Sequence, residues 1–73
     1  MIVEVGKYYI DGYGVVRYIN EFDSNYRWPY ISNDKQYLAY DEAGKSLSSK
    51  YFYKPKYNLV KELSKEKYPE YYI

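Results

Sequence analysis

The sequence predicts a mainly β domain: a compact antiparallel meander or small barrel of four to five strands with a short C-terminal helix. Three observations carry this expectation. Short runs of β-branched and aromatic residues alternate with turn signals, roughly one every ten residues. The connections are too short for the crossovers that parallel strands require. Towards the end of the chain the apolar residues take on helical spacing.

The elements follow in order. Ile2 to Ile10 reads as a first strand, stopped by Asp11-Gly12-Tyr13-Gly14. Both glycines are expected to supply positive φ in a hairpin turn, and Val15 to Asn20 returns as the second strand. Glu21 to Asn25 has the polar character of a connecting loop. Tyr26 to Ile31 is the third strand, with Pro29 confining it to an edge, a bulge or a strand start. After the Asn33-Asp34 turn, Gln36 to Tyr40 is the fourth strand, closed by Asp41-Glu42-Ala43-Gly44, and Lys45-Ser46-Leu47 makes a short return. Ser48-Ser49-Lys50 reads as loop. Asn58 is then placed to cap a helix from Leu59 to about Lys67, with Leu59, Val60 and Leu63 on one face. The aromatic tail 68–73 is expected to be tied down, on the domain or on a partner.

At 73 residues the chain has room for one domain, 1–73, because much smaller cores rarely hold without a staple. It contains no Cys and no His. That excludes disulfides, zinc sites of the usual type, thiol nucleophiles and histidine acid/base chemistry, so no cofactor is expected. Hydrophobic residues make up 47%, yet 14 of them are Tyr, as many as Val, Ile and Leu together. The core is therefore expected to be largely tyrosine, with the surplus on the surface. No apolar run approaches the roughly 18–20 residues of a membrane span, and no signal-type segment opens the chain, so the expected setting is cytoplasmic, without a membrane partner.

Several pieces, taken in order, resemble a group of small phage and prophage proteins of unassigned function. They are Gly6-Lys7-Tyr8-Tyr9, Asp11-Gly12-Tyr13-Gly14 followed by Val16-Arg17-Tyr18-Ile19, Trp28-Pro29-Tyr30, Tyr40 to Lys45, and Tyr57-Asn58-Leu59-Val60. The resemblance spans about residues 6 to 62. It implies an SH3-like β-barrel opened by a hairpin and closed by an Asp-Leu-Val segment, here with Asn58 in place of the Asp. It also implies a phage-encoded protein acting in the host cytoplasm, and it makes the 58–60 segment a strand where periodicity favours a helix. It brings no catalytic residues with it.

Catalysis would have to rest on carboxylates, Lys or Tyr converging in a cleft. Asp11, Asp41 and Glu42 lie in turns, where Asp bonds its own backbone. Asp11, Asp23, Asp34 and Asp41 lack the spacing of a calcium loop. The expectation is a protein that is not an enzyme and holds no metal.

Charge distribution says more than the total of +1. Residues 1–44 carry four cations against seven carboxylates, net −3; residues 45–61 carry five lysines and no acid; the remainder is −1. Lys50, Tyr51, Tyr53, Lys54, Lys56 and Tyr57 combine cations with aromatic rings, the chemistry that meets phosphates and stacks bases. The simpler reading has the aromatics close the fold while the lysines guard a strand edge. Tyr26-Arg27-Trp28-Pro29-Tyr30 holds the residue types enriched at interface hot spots. Trp28 is expected in the core, with Arg27 and Tyr30 as contacts. The candidate partner-binding residues are thus Arg27, Tyr30, Lys50, Tyr51, Tyr53, Lys54 and Lys56. The expected function is noncatalytic binding, and inhibition, of a bacterial host protein such as a defence or nucleic-acid-processing factor. The alternative is a nucleic-acid or nucleotide-binding module built on residues 45–57. A homodimer is also expected, joined through the Pro29 edge and the tail.

Overall fold

The opening hairpin is set by one side chain. Asp11 ends strand β1 (Tyr8–Asp11) and turns its carboxylate back on the chain, where Oδ1 accepts the N–H groups of Tyr13 and Val15 at 2.9 and 3.0 Å. Such local bonding is what makes aspartate a turn residue. Gly14 supplies the positive φ, +78°, and strand β2 (Val16–Tyr18) returns in register Tyr8 to Tyr18, Tyr9 to Arg17 and Ile10 to Val16. Gly12 is needed for a different reason. Its φ is not positive; a Cβ there would stand 2.9 Å from the Lys56 backbone, whose carbonyl accepts the Gly12 N–H at 2.8 Å.

The computed structural model describes residues 1–73 and contains six strands in two antiparallel three-stranded sheets, with one short helix and no closed barrel. The first sheet has the order β2-β1-β6, with β6 spanning Leu59–Glu62. The second has the order β3-β4-β5: Glu21–Phe22, Tyr30–Ser32 and Leu38–Tyr40. Helix α1 spans Leu47–Phe52, and 3-10 turns cover Pro55–Tyr57 and Pro69–Tyr72. No helix is long and apolar enough to cross a membrane.

The core lies between the sheets and draws on both. Val3, Tyr9, Ile19, Leu38, Tyr40 and Leu59 form one buried cluster, with Tyr30 and Tyr57 packed against it. Each such side chain contributes about 1.5–3 kcal/mol when taken from water. The expected tyrosine core is thus a mixed one. Only Tyr9 and Tyr40 are fully enclosed, while Tyr13, Tyr26, Tyr37, Tyr51 and Tyr53 are exposed.

Several boundaries depart from expectation. The first run is strand only from Tyr8, because Gly6 (φ +86°) breaks it and Val3 instead bonds Glu42 across the fold, N to O at 2.9 Å. Glu21–Phe22, expected as loop, pairs with β4. The third strand starts at Tyr30, since Pro29 offers no N–H and residues 24–28 are turns and bends. The helix lies at Leu47–Phe52, in and beyond the expected loop, and Lys45-Ser46-Leu47 contributes only a Tyr40–Ser46 bridge.

The C-terminal helix from Leu59 to about Lys67 is corrected to strand β6. Leu59 and Leu63 are buried at a spacing that fits a helical face, but the same two residues fit a bulged strand, with the irregularity between Ile10 and Asp11 of β1. Pairing with β1 satisfies backbone groups that a nine-residue helix would hold only marginally. Asn58, expected as its cap, spends its side chain elsewhere: Oδ1 accepts the Ser46 N–H at 2.7 Å.

The tail folds back on its own chain. Tyr72 Oη donates to the Leu63 carbonyl at 2.9 Å and accepts the Tyr8 N–H at 3.1 Å. The rings of Tyr71 and Tyr72 lie 5.5 and 5.1 Å from that of Tyr8.

Candidate functional site

Between β3 and β4 the chain makes a loop pinched shut at its base. The Asp23 N–H donates to the Pro29 carbonyl at 2.9 Å, the Tyr26 N–H to the Asp23 carbonyl at 3.2 Å, and Asp23 Oδ1 accepts the Asn25 N–H at 3.0 Å. The pinched loop displays Tyr26-Arg27-Trp28. Trp28 is half-buried and lies outside the core cluster. Its expected place in the core is corrected, because a loop ending at Pro29 cannot point the ring inward as a strand would.

Helix α1 forms the other wall. Ser46 caps it, with Oγ accepting the Ser49 N–H at 2.9 Å, and the Tyr40 bridge and the Asn58 bond hold Ser46 in place. α1 has no fully buried residue, so its stability comes from this anchoring rather than from propensity. Tyr51 projects from it and meets Trp28 edge to face, centroids 5.5 Å apart and planes at 70°. The Arg27 guanidinium lies over the Trp28 ring, 5.6 Å from its centroid.

Trp28 and Arg27 thereby form a ridge between two clefts. On one side is a cleft of about 310 Å³ to which Asp41, Lys45, Ser49 and Lys50 contribute. On the other is a cleft of about 350 Å³ lined by Tyr26, Tyr37, Ala39 and Leu47. One is basic and hydroxylic, the other aromatic and apolar.

The chain matches no protein-family model, no curated protein and no solved structure. Function is read from geometry.

Of the seven residues singled out in the sequence, three meet here: Arg27, Lys50 and Tyr51. Tyr30 turns inward, half-buried against the core and edge-on to Phe22 at 5.0 Å. Tyr53 sits at the C-cap of α1 in the left-handed region, φ 54°, with 88% exposure, and Lys54 follows it. Lys56 lies against the hairpin turn, its Nζ 5.8 Å from the centroid of the Tyr13 ring. Residues 45–57 are therefore divided between two places rather than laid out as one strip. Tyr26, Tyr37, Lys45 and Leu47 join the site without having been singled out. Their only sequence signal is residue type, because the fold brings them together from three separate segments.

A second cluster lies inside the molecule. Arg17 Nε donates to Asp11 Oδ2 at 3.0 Å, with side-chain exposures of 4% and 0%. The hydroxyl of Tyr40 is buried and has no hydrogen-bond partner, and burial raises its pKa well above the usual tyrosine value. Neither Asp11, Arg17 nor Tyr40 lines a cleft, so this cluster organises the interior. The four turn aspartates do not converge, and no group of three Asp, Glu, His or Cys residues is placed to hold a metal ion.

Proposed function

We propose that the chain is a noncatalytic binding protein whose Tyr26–Trp28 loop and α1 together occupy a surface on another protein. The observation that carries this reading is the pinched loop, which presents Tyr, Arg and Trp side by side with a cleft on either flank. Rigid aromatic contacts and a closed loop lower the entropy lost on binding. In this proposal the protein is phage-encoded, its target is a bacterial host protein such as a defence or nucleic-acid-processing factor, and occupation inhibits that target. The ordered sequence pieces support the phage setting. An SH3-like ancestry belongs to the same proposal, supported by a hairpin that opens the fold and a last strand that returns to pair with β1.

A host protein is favoured over a second copy because the tail that would have served a homodimer is folded onto Tyr8 and Leu63. The nucleic-acid alternative draws less support, since its basic and aromatic residues are split between the ridge and the hairpin turn.

The test is capture from a bacterial lysate at moderate salt, comparing the wild-type chain with the double variant Tyr26→Ala/Arg27→Ala. Both substituted side chains are exposed, so melting should be unchanged. A protein retained by the wild type and lost from the variant is the expected result. Retention of nucleic acid alone, or capture indifferent to the variant, would overturn the reading.

A further inference from the structure

We propose that the ridge recognises a short acidic peptide segment carrying an adjacent large apolar side chain. The apolar group enters the Tyr26/Tyr37/Leu47 cleft, and the neighbouring carboxylates lie in the Arg27/Lys45/Lys50 cleft. This inference rests on the binding-protein reading and names the chemistry of the partner.

Three features converge on it. The two clefts share Arg27 and Trp28 as a common wall, so a ligand seated in one stands beside the other. Volumes of about 350 and 310 Å³ lie at the small end of ligand pockets and suit one or two side chains each. The basic cleft is also electrostatically unfinished. The ion pairs of the chain engage only Lys7 and Arg17, which leaves Arg27, Lys45 and Lys50 unpaired around one space. The single acid there is Asp41, whose Oδ1 is occupied by the N–H groups of Ala43 and Lys45 at 3.0 and 2.8 Å. The four groups sum to +2, and an anion relieves their mutual repulsion. Carboxylates bind such guanidinium and ammonium groups by charge-assisted hydrogen bonds.

The anion is peptide rather than nucleic acid for reasons of geometry. Arg27 covers one face of Trp28 and Tyr51 abuts the ring edge to face, so the tryptophan offers no clear platform for a base. The acidic balance of residues 1–44, net −3, repels a long polyanion while leaving room for a few carboxylates in the cleft.

Trp28 is the only tryptophan, so its emission reports on both clefts without a label. The purified chain is titrated with three capped peptides of equal length, each holding Leu-Phe flanked by Glu, by Ser or by Lys. The Glu peptide should shift the emission and bind about tenfold more tightly than the Ser peptide at low salt, with the advantage shrinking as salt rises. The double variant Lys45→Glu/Lys50→Glu should lose that advantage at unchanged melting, since both side chains are exposed. Tyr37→Ser should weaken the Glu and Ser peptides alike. Equal or better binding of the Ser or Lys peptide overturns the inference. So does full binding of the Glu peptide by the charge-reversed variant, absence of any response, or displacement of the Glu peptide by oligothymidylate at lower concentration. Lysate capture that depends on Tyr26 and Arg27 but is not competed by the Glu peptide sinks the acidic-ligand inference alone, whereas capture independent of those residues sinks the binding-protein reading.

Discussion

Tyr9 and Tyr40 are both fully buried, yet their hydroxyls stand in opposite situations. Tyr9 Oη accepts the Glu4 N–H at 2.8 Å and reaches the Ile2 carbonyl at 3.4 Å; Tyr40 Oη has no partner. A bonded hydroxyl contributes and an orphaned one costs, each by about 1 kcal/mol. Tyr9→Phe should therefore destabilise the protein by about 1 kcal/mol, while Tyr40→Phe should leave stability unchanged or raise it by up to about 1 kcal/mol. Urea unfolding of the two variants beside the wild type checks the difference in sign. At this scale the sequence speaks through residue type alone. It identifies Arg27, Lys50 and Tyr51 as binding chemistry, but the inward turn of Tyr30 depends on the register Tyr30 to Tyr40, a pairing made only in the folded sheet.

Elements were legible where local chemistry decides them. The Asp11 to Gly14 hairpin forms because its aspartate and its second glycine act within a few residues of one another. Strand β5 is read in the same way from Leu38-Ala39-Tyr40. Strand β6 was not legible as strand from its own spacing, because Leu59 and Leu63 suit two kinds of backbone and the choice is made by β1, distant in sequence. Helix α1 was missed because six residues with two serines carry no periodic signal; it exists by virtue of Ser46, held from Tyr40 and Asn58. The tail behaves as an element too. Deleting residues 68–73 removes both Tyr72 hydrogen bonds and the rings packed on Tyr8. The melting temperature should fall by roughly ten degrees, as expected for loss of about 2 kcal/mol in a domain of this size. Calorimetry of the truncated chain checks it, and an unchanged melting temperature would show that these contacts contribute nothing.

For the whole molecule, the two buried tyrosines set a limit at high pH. Burial raises the pKa of both Tyr9 and Tyr40 above the ordinary value of 10.0. Above that value the unfolded chain gives up protons that the folded chain still holds, so unfolding gains from every further rise in pH. Stability should be level through neutral pH with respect to these groups and decline once pH passes about 10. Unfolding midpoints measured across that range check the sign, and Tyr40→Phe should soften the decline. The candidate face belongs to this scale as well. Tyr26, Tyr37 and Leu47 become neighbours only when the β3–β4 loop, the β4–β5 loop and α1 assemble, which is why no single stretch of sequence announces the cleft. The same dependence between distant segments governs the contact at Gly12, where no Cβ fits against Lys56. Along any line of descent, the hairpin turn and the Pro55–Tyr57 turn form one heritable unit. A lineage that gains a side chain at position 12 must also shift the 55–57 turn, so substitutions in the two segments should arise together.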